Sequence, residues 1–223
     1  SRKNYIHMQN NFGKEIMELL LKRYGKDIHT SLRHRNSTEL FVAALLSPQC
    51  TDVQVNNTTS RLFKKYRKFE DYANANIKEL RRDLNTLNFY NTKAKYLTES
   101  SSAIVKRFDG KIPSTISELT SLKGVGRKVA NVVLNSVYNI NEGIAVDTHC
   151  ITVSRRLGFA KTNDPKKIEK ALMAKIPNNY WGVASNLLIA LGRDTCTSRR
   201  KYCSRCVLRS ICPSSTSVSK RKS

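Results

Sequence analysis

Four cysteines close to the C-terminus have the type and the spacing to hold a metal centre. They are Cys196, Cys203, Cys206 and Cys212, and six, two and five residues lie between successive members. Thiolates bind both zinc and iron–sulfur clusters. A structural zinc site usually presents two closely spaced cysteine pairs, whereas only Cys203 and Cys206 form such a pair here. Compact four-thiolate loops around one centre instead suit a [4Fe-4S] cluster, which the spacing favours over zinc.

The loop between the first two of these cysteines carries three consecutive cations, Arg199, Arg200 and Lys201. A cluster that folds this loop rigidly would direct the cations at phosphate groups, a binding role that needs no redox change. Two further cysteines, Cys50 and Cys150, lie outside the set and are interpreted as small packing residues.

A glycine-rich stretch forms the second candidate site, and its five residues are Gly124, Val125, Gly126, Arg127 and Lys128. Two glycines one residue apart permit a tight turn, and a helix after them offers the positive end of its dipole to an anion such as phosphate. An ordinary turn is the simplest alternative. A P-loop is excluded because it needs four residues between its glycines and a Ser or Thr where Val129 stands. A dinucleotide fingerprint needs a preceding strand, whereas Thr115 and Glu118 form a capping box that predicts a helix.

The charge balance points to a nucleic-acid partner. The 223-residue chain has 40 Lys and Arg against 17 Asp and Glu, a net charge of +23, and its pI is about 10.0. A basic surplus of this size is typical of nucleic-acid binders, although a solvated basic surface or a membrane-surface protein would also show it. No apolar run reaches the roughly 18 residues of a membrane span. Residues 1–11 lack the apolar core of a secretory signal, so the cysteines are expected in a reducing compartment.

The elements that must position these residues are all predicted to be helices. No stretch shows sustained period-2 alternation bounded by hairpin turns, so the fold class is all-α. Capping pairs at Asn36 with Glu39 and at Asn76 with Glu79 precede two of the helices. The remaining helices are predicted from apolar periodicity over 12–24, 51–66, 91–108, 129–138, 151–157, 165–175 and 180–191. Residues 47–52 form a loop interrupted by Pro48.

The helix, hairpin and helix, followed by Val146-Asp147-Thr148-His149, resemble the helix-hairpin-helix DNA glycosylases and among them the endonuclease III family. The resemblance covers residues 37–212 and includes the cysteine spacing. It implies a six-helix barrel unit over 30–142 and a discontinuous iron–sulfur unit over 1–29 and 143–213, with the active-site cleft between them. Residues 214–223 are expected to be a disordered basic tail.

The resemblance also implies roles for Lys128 and Asp147. Relatives with a lysine at this position form a Schiff base between its amine and the sugar C1′, followed by β-elimination. On charge alone, Lys128 could equally be one more phosphate contact. Asp147 would stabilise the positive charge that develops on the sugar, and the alternative is that it only caps the following helix. His149 would assist or merely pack.

The enzyme must expel the damaged nucleotide from the DNA stack, and something must fill the gap. By resemblance, Gln49 and the Phe89 loop do so from opposite sides of the cleft, while Asp52 lines the pocket. The loop departs from the family pattern with Asn88 for a glycine and Phe89 for a leucine. The alternative for Phe89 is a core aromatic residue. A further departure is Thr152, where relatives often carry an arginine.

The sequence as a whole therefore predicts a monomeric, bifunctional DNA glycosylase and AP lyase that removes oxidised pyrimidines in base-excision repair. Its partner would be double-stranded DNA containing a damaged base or an abasic site. A related glycosylase for oxidised guanine or a mismatched base, and a non-catalytic DNA-binding module, are the alternatives. The compartment would be the cytoplasm of a prokaryote, or the nucleus or mitochondrion of a eukaryote.

Overall fold

A computed structural model describes residues 2–216, and for residues 2–10 it describes the backbone alone. These residues contain no β-strand, and Cys196 and Lys201 form an isolated antiparallel bridge. The all-α prediction is confirmed. Most of the tail predicted over 214–223 lies outside the described residues. Among those that are described, no helix combines the length and the apolar character needed to cross a membrane.

The backbone contacts divide the chain into two compact units. Unit A comprises Thr30–Glu142, and unit B comprises the residues up to His29 together with those from Gly143 onward. Each unit has its own cluster of buried apolar side chains.

Unit A contains seven helices among its described residues. In chain order, they are α2 (Ser37–Leu46), α3 (Asp52–Lys65), α4 (Phe69–Ala73), α5 (Ile77–Asp83), α6 (Tyr90–Phe108), α7 (Ile116–Thr120) and α8 (Arg127–Tyr138). Helix α2 is buried along nearly its whole length and packs against α3, α6 and α8. The short helix α4 was not predicted, because its five residues show too little periodicity. Its Phe69 and Tyr72 are nevertheless buried, and α4 packs against α6.

Unit B is built from four helices and two short 3-10 turns in its described part. The helices are α1 (Arg2–Tyr24), α9 (Thr148–Arg156), α10 (Pro165–Lys175) and α11 (Trp181–Asp194), and the turns are Asn178–Tyr180 and Cys203–Arg205. Helix α11 packs against α1 and α9. Gly13 allows α1 to approach α10 closely, because a Cβ at Gly13 would lie 1.8 Å from the carbonyl oxygen of Lys175.

Side-chain caps set the start of several predicted helices. Asn36 Oδ1 accepts a hydrogen bond from Glu39 N at 2.9 Å, and Thr115 Oγ1 accepts one from Glu118 N at 3.2 Å. Both predicted caps are confirmed. The first helix was predicted over 12–24 but begins at Arg2. No proline interrupts residues 2–11, so the helical backbone continues through them.

Candidate functional site

The glycine-rich hairpin joins α7 to α8 within unit A. Gly124 has a φ of +78°, and a Cβ there would lie 2.6 Å from Cδ2 of Tyr96, so both the turn and the packing require a glycine. The carbonyl of Lys123 accepts a hydrogen bond from Ser100 Oγ at 2.5 Å, and Val125 is buried. The hairpin is therefore held on α6 and presents a fixed backbone.

Gly126 is the N-cap residue of α8, with φ −84° and ψ 173°, and it has no side chain to cap the helix. A Cβ at this position would meet no atom within 4 Å. The first N–H groups of a helix lack partners within the helix and attract anions together with the helix dipole. The start of α8 therefore has the electrostatics and the open space of a phosphate site.

Helix α8 begins at Arg127, two residues before the predicted start at Val129. Arg127 is exposed and Lys128 is half-buried, and both lie in the first turn. Within its own unit, the Lys128 amine has no hydrogen-bond or ion-pair partner among the described residues. The amine is therefore not engaged in structural support of unit A.

The loops that carry Gln49 and Phe89 lie next to each other in unit A. Asn88 Nδ2 donates a hydrogen bond of 2.6 Å to the carbonyl oxygen of Gln49. Gln49 and Phe89 each have a φ of 57°, an uncommon left-handed conformation for side chains of this size. The prediction that they approach from opposite sides of the cleft is wrong, because both loops belong to the same unit.

Phe89 is 62% exposed, so the alternative of a core aromatic residue is also wrong. Asn88, which stands where the family pattern has a glycine, supplies the bond to the Gln49 loop, and the following Phe89 adopts the left-handed conformation. Asp52 is half-buried in the first turn of α3, where its carboxylate accepts a hydrogen bond from Ser31 Oγ. A carboxylate at this position also stabilises the helix dipole.

Asp147 lies in unit B and is the N-cap residue of α9. Its Oδ1 accepts a hydrogen bond of 2.8 Å from Cys150 N, so the capping role proposed as an alternative is confirmed. The helix begins at Thr148, three residues before the predicted start, because the cap precedes it. His149 is half-buried against α11, and Gly192 leaves room for it, since a Cβ there would lie 2.9 Å from His149 Cβ. The close packing of His149 holds its backbone in place beside Asp147.

The four clustered cysteines line one cavity in unit B. Arg156, Leu191, Lys201 and Leu208 are among the other residues that line it. Burial raises the pKa of Cys206 and Cys212, whereas hydrogen bonds with Thr216 lower the pKa of Cys203. Thiols that burial keeps protonated become thiolates when a cation binds them.

A single metal ion does not fit these thiols as they stand. Among the residues that the structure describes, no three His, Cys, Asp or Glu side chains converge closely enough to hold one ion. A tetrahedral zinc site places four sulfurs about 2.3 Å from one centre. All four cysteines nevertheless line the same cavity.

The basic loop between Cys196 and Cys203 is ordered by its own contacts. Thr197 Oγ1 exchanges hydrogen bonds with the backbone of Arg200, and the Lys201 amine donates to the carbonyl of Ser214 at 2.8 Å. The guanidinium of Arg200 lies 5.1 Å from the ring centroid of Tyr202. Arg199 is exposed. All three cations lie on one short exposed loop, as predicted from the sequence.

Comparisons with known proteins agree with this geometry. The family model described as "HhH-GPD superfamily base excision DNA repair protein" matches residues 42–178. The Bacillus subtilis protein "Endonuclease III" is 42% identical over 182 residues, which are 81% of this chain and 83% of the relative. This chain belongs to the endonuclease III family. Members of that family are base-excision repair enzymes, and the chain is a DNA glycosylase and AP lyase that acts on DNA.

Solved endonuclease III structures share the fold. The structures described as "a non-covalent Endonuclease III-DNA Complex" and "a Trapped Endonuclease III-DNA Covalent Intermediate: Estranged-Adenine Complex" each have a TM-score of 0.84. Each is 37% identical to this chain, and the alignment covers 90% of this chain and 93% of the other. The two-unit helical fold is therefore the endonuclease III fold.

Two further residues of this endonuclease III family member contact the candidate sites, although nothing in the sequence predicts those contacts. Arg156, near the end of α9, donates hydrogen bonds to the carbonyls of Thr197 and Ser198 at 2.6 and 3.0 Å, and its Nη1 lies 3.3 Å from Cys196 Sγ. Tyr96 in α6 packs under Gly124. No spacing or composition marks either residue, because each contacts residues that are far away in the sequence.

Proposed function

We propose that the chain excises oxidised pyrimidines of the thymine glycol type, with the amine of Lys128 as the nucleophile. The amine bonds to C1′ of the damaged nucleotide as the base leaves, and the resulting Schiff base permits β-elimination, which breaks the bond between C3′ and its oxygen. The observation that supports this role is the amine at the start of α8, which has no partner within unit A and lies beside a backbone open to phosphate.

Asp147 would stabilise the positive charge on the sugar and move protons to and from the amine and its adducts. This role is compatible with the cap of α9, because the cap uses Oδ1 and fixes the carboxylate in one orientation. A carboxylate held by a backbone N–H does not need to reorganise when charge develops nearby. In this proposal, capping and catalysis are two uses of one side chain, and His149 supports its position.

Gln49 and Phe89 would enter the DNA where the nucleotide has left. The exposed Phe89 ring is an apolar wedge of the kind that separates base steps. The hydrogen bond from Asn88 to the Gln49 carbonyl joins the two loops, so both would enter the DNA together. The hairpin residues Gly124, Val125, Gly126 and Arg127 would hold the phosphates of the same strand, and Asp52 would border the pocket.

Cys196, Cys203, Cys206 and Cys212 would hold one [4Fe-4S] cluster in unit B. Support comes from the cavity that all four line and from their spacing, with six, two and five residues between successive members. The bound cluster would act as a cross-link that fixes the loop carrying Arg199, Arg200 and Lys201. Those three cations would contact DNA phosphates, and Arg156 would hold the loop through the Thr197 and Ser198 carbonyls.

Cluster content tests this part of the proposal. We expect the purified chain to absorb visible light and to contain four iron and four sulfide ions, and we expect Cys203→Ser to lose both. Measured zinc in stoichiometric amount, without sulfide, would contradict the cluster. Because Cys150 is fully buried and lies outside the cavity, Cys150→Ser serves as the matched control and should keep the iron.

Borohydride trapping tests the nucleophile. Wild type and Lys128→Gln are incubated with duplexes that contain thymine glycol, 8-oxoguanine or a preformed abasic site, and the covalent adducts are separated on a denaturing gel. We expect wild type to form adducts with thymine glycol and with the abasic site, and Lys128→Gln to form none. Lys123→Gln is the matched control, because Lys123 is an exposed lysine of the same hairpin and should leave trapping intact.

The outcomes separate the parts of the proposal. An adduct with the abasic duplex alone would support the lyase activity and contradict thymine glycol as a substrate. Trapping with 8-oxoguanine but not with thymine glycol would favour a glycosylase for oxidised guanine. An adduct that persists in Lys128→Gln would remove Lys128 from the mechanism.

A further inference from the structure

A buried lysine in unit A contacts a cysteine that the proposed function does not use. The Nζ atom of Lys93 lies 2.9 Å from the Sγ atom of Cys50. Lys93 is only 6% exposed, and Cys50 is half-buried against the core of unit A. A lysine is seldom buried without a partner, and a thiol is a weak hydrogen-bond acceptor. The environment is therefore unusual for both the Lys93 amine and the Cys50 thiol.

The backbone fixes the two side chains at this separation. Lys93 N donates to the carbonyl of Phe89 at 3.0 Å, in the first turn of α6. Cys50 N donates to the carbonyl of Ser47, also at 3.0 Å. The hydrogen bond from Asn88 to the Gln49 carbonyl joins the two segments. The fold therefore holds the two segments next to each other, and the burial of Lys93 restricts its side chain.

Cys150 in unit B provides a contrast within the same chain. It is fully buried, and burial raises the pKa of Cys150 to about 12. Its Sγ is within 3.7 Å of the Ser185 carbonyl, with no amine among its hydrogen-bond partners in the described residues. A cysteine must be reached by peroxide before it can be oxidised, and Cys50 is half-buried beside an amine, whereas Cys150 is fully buried. Oxidation should therefore distinguish the two cysteines.

We propose that Cys50 and Lys93 form a peroxide-sensitive modification site, at which oxidation of the thiol leads to a covalent sulfur–nitrogen crosslink. In the first step, Cys50 sulfur attacks hydrogen peroxide, the O–O bond breaks, and the thiol becomes a sulfenic acid with release of one water. In the second step, Lys93 nitrogen attacks that sulfur, the S–O bond breaks, and a second water leaves. Sulfur is oxidised by two electrons and the peroxide is reduced, so two hydrogens are lost from the protein.

The crosslink would connect the segment after Gln49 to the first turn of α6, behind Phe89. One hydrogen bond already joins the loops that carry Gln49 and Phe89, and the crosslink would add a covalent bond between the residues that follow them. The inference rests on the geometry of unit A and does not depend on which lesion the enzyme removes. Failure of the crosslink would leave the proposed glycosylase reaction untouched.

Peptide mapping tests the crosslink. The cluster-loaded full chain is exposed to hydrogen peroxide, the remaining thiols are alkylated, and the digest is analysed by mass spectrometry. We expect a joined peptide that contains Cys50 and Lys93, lighter by two hydrogens than the sum of its parts, and we expect dithiothreitol to separate it. Cys150 should remain a thiol and appear alkylated once the chain is denatured. Absence of the joined peptide at peroxide levels that oxidise Cys50 would overturn the proposal.

Two variants and one rate comparison provide controls. Lys93→Arg keeps the positive charge but should yield no joined peptide, and its Cys50 should proceed to the sulfinic acid. Cys50→Ser should also yield none. Identical Cys50 products in wild type and Lys93→Arg would overturn the proposal. Should Lys93→Arg fail to fold, rates in the native wild type still decide: the joined peptide should appear as fast as peroxide consumes the Cys50 thiol. Loss of that thiol without the joined peptide would overturn the proposal.

Discussion

Helices α8 and α9 begin with N-cap residues of different chemistry. Helix α9 begins after Asp147, whose carboxylate accepts a hydrogen bond from Cys150 N. Helix α8 begins after Gly126, which has no side-chain acceptor. The first N–H groups of any helix need partners. The side chain of Asp147 supplies one at α9, whereas the N-cap residue of α8 has no side chain that could do so.

The hairpin before α8 shows that this lack of a cap is not forced by the fold. Gly124 must be a glycine, because its φ is positive and Tyr96 occupies the space of a Cβ. Gly126 has an extended conformation that any residue adopts, and a Cβ there would meet open space. Nothing within the chain requires a glycine at the α8 cap, and the space beside it is open to a ligand outside the chain, such as a phosphate.

The largest expected effect separates the two uses of Asp147. Asparagine caps helices as well as aspartate does, so Asp147→Asn should keep the fold while excision of thymine glycol falls by roughly 10²–10⁴-fold. Asp147→Ala should lose the cap as well and unfold about 1 kcal/mol more easily. Single-turnover excision and urea denaturation measure the two effects. Full excision by Asp147→Asn would reduce this residue to a cap.

The second prediction concerns the glycine that the fold does require. Gly124→Ala should lower the free energy of unfolding by about 2–4 kcal/mol, because the positive φ and the contact with Tyr96 both oppose a Cβ. Gly25→Ala is the matched control, because Gly25 has a φ of +85° but no atom within 4 Å of a Cβ. It should cost only about 1–2 kcal/mol. Equal losses would show that Tyr96 moves away from the hairpin at little cost.

Local signals explain how much of the fold could be predicted from the sequence. Capping pairs such as Asn36 with Glu39 specify a helix start within four residues, and the structure confirms them. Apolar periodicity predicts a start of α9 at Ile151, three residues too late, because the apolar pattern begins only after the cap residue Asp147 and the first residues of the helix. The short helix α4 is held by burial of Phe69 and Tyr72, which depends on α6 and leaves no local pattern.

The candidate site also combines features that local sequence signals predict with features that depend on tertiary packing. The hairpin and the four cysteines are contiguous motifs, so their spacing in the sequence determines their identity. Arg156 reaches the Cys196 loop over 40 residues of sequence, and Lys93 reaches Cys50 over 43. Contacts of this kind depend on how helices pack, which spacing alone does not specify. The prediction that Gln49 and Phe89 lie on opposite sides of the cleft was wrong for that reason, because the structure places their two loops side by side.

The smallest expected effect tests the difference between the two helix starts directly. Gly126→Asn and Gly126→Asp should each stabilise the chain by only a few tenths of a kcal/mol, because glycine is a nearly adequate N-cap. The two variants differ in charge, and a carboxylate a few ångström from a phosphate should weaken DNA binding by roughly tenfold relative to Gly126→Asn. Fluorescence anisotropy with an abasic-site duplex at low salt measures the ratio. Equal affinities for the two variants would place the phosphate elsewhere and leave the open start of α8 without a ligand.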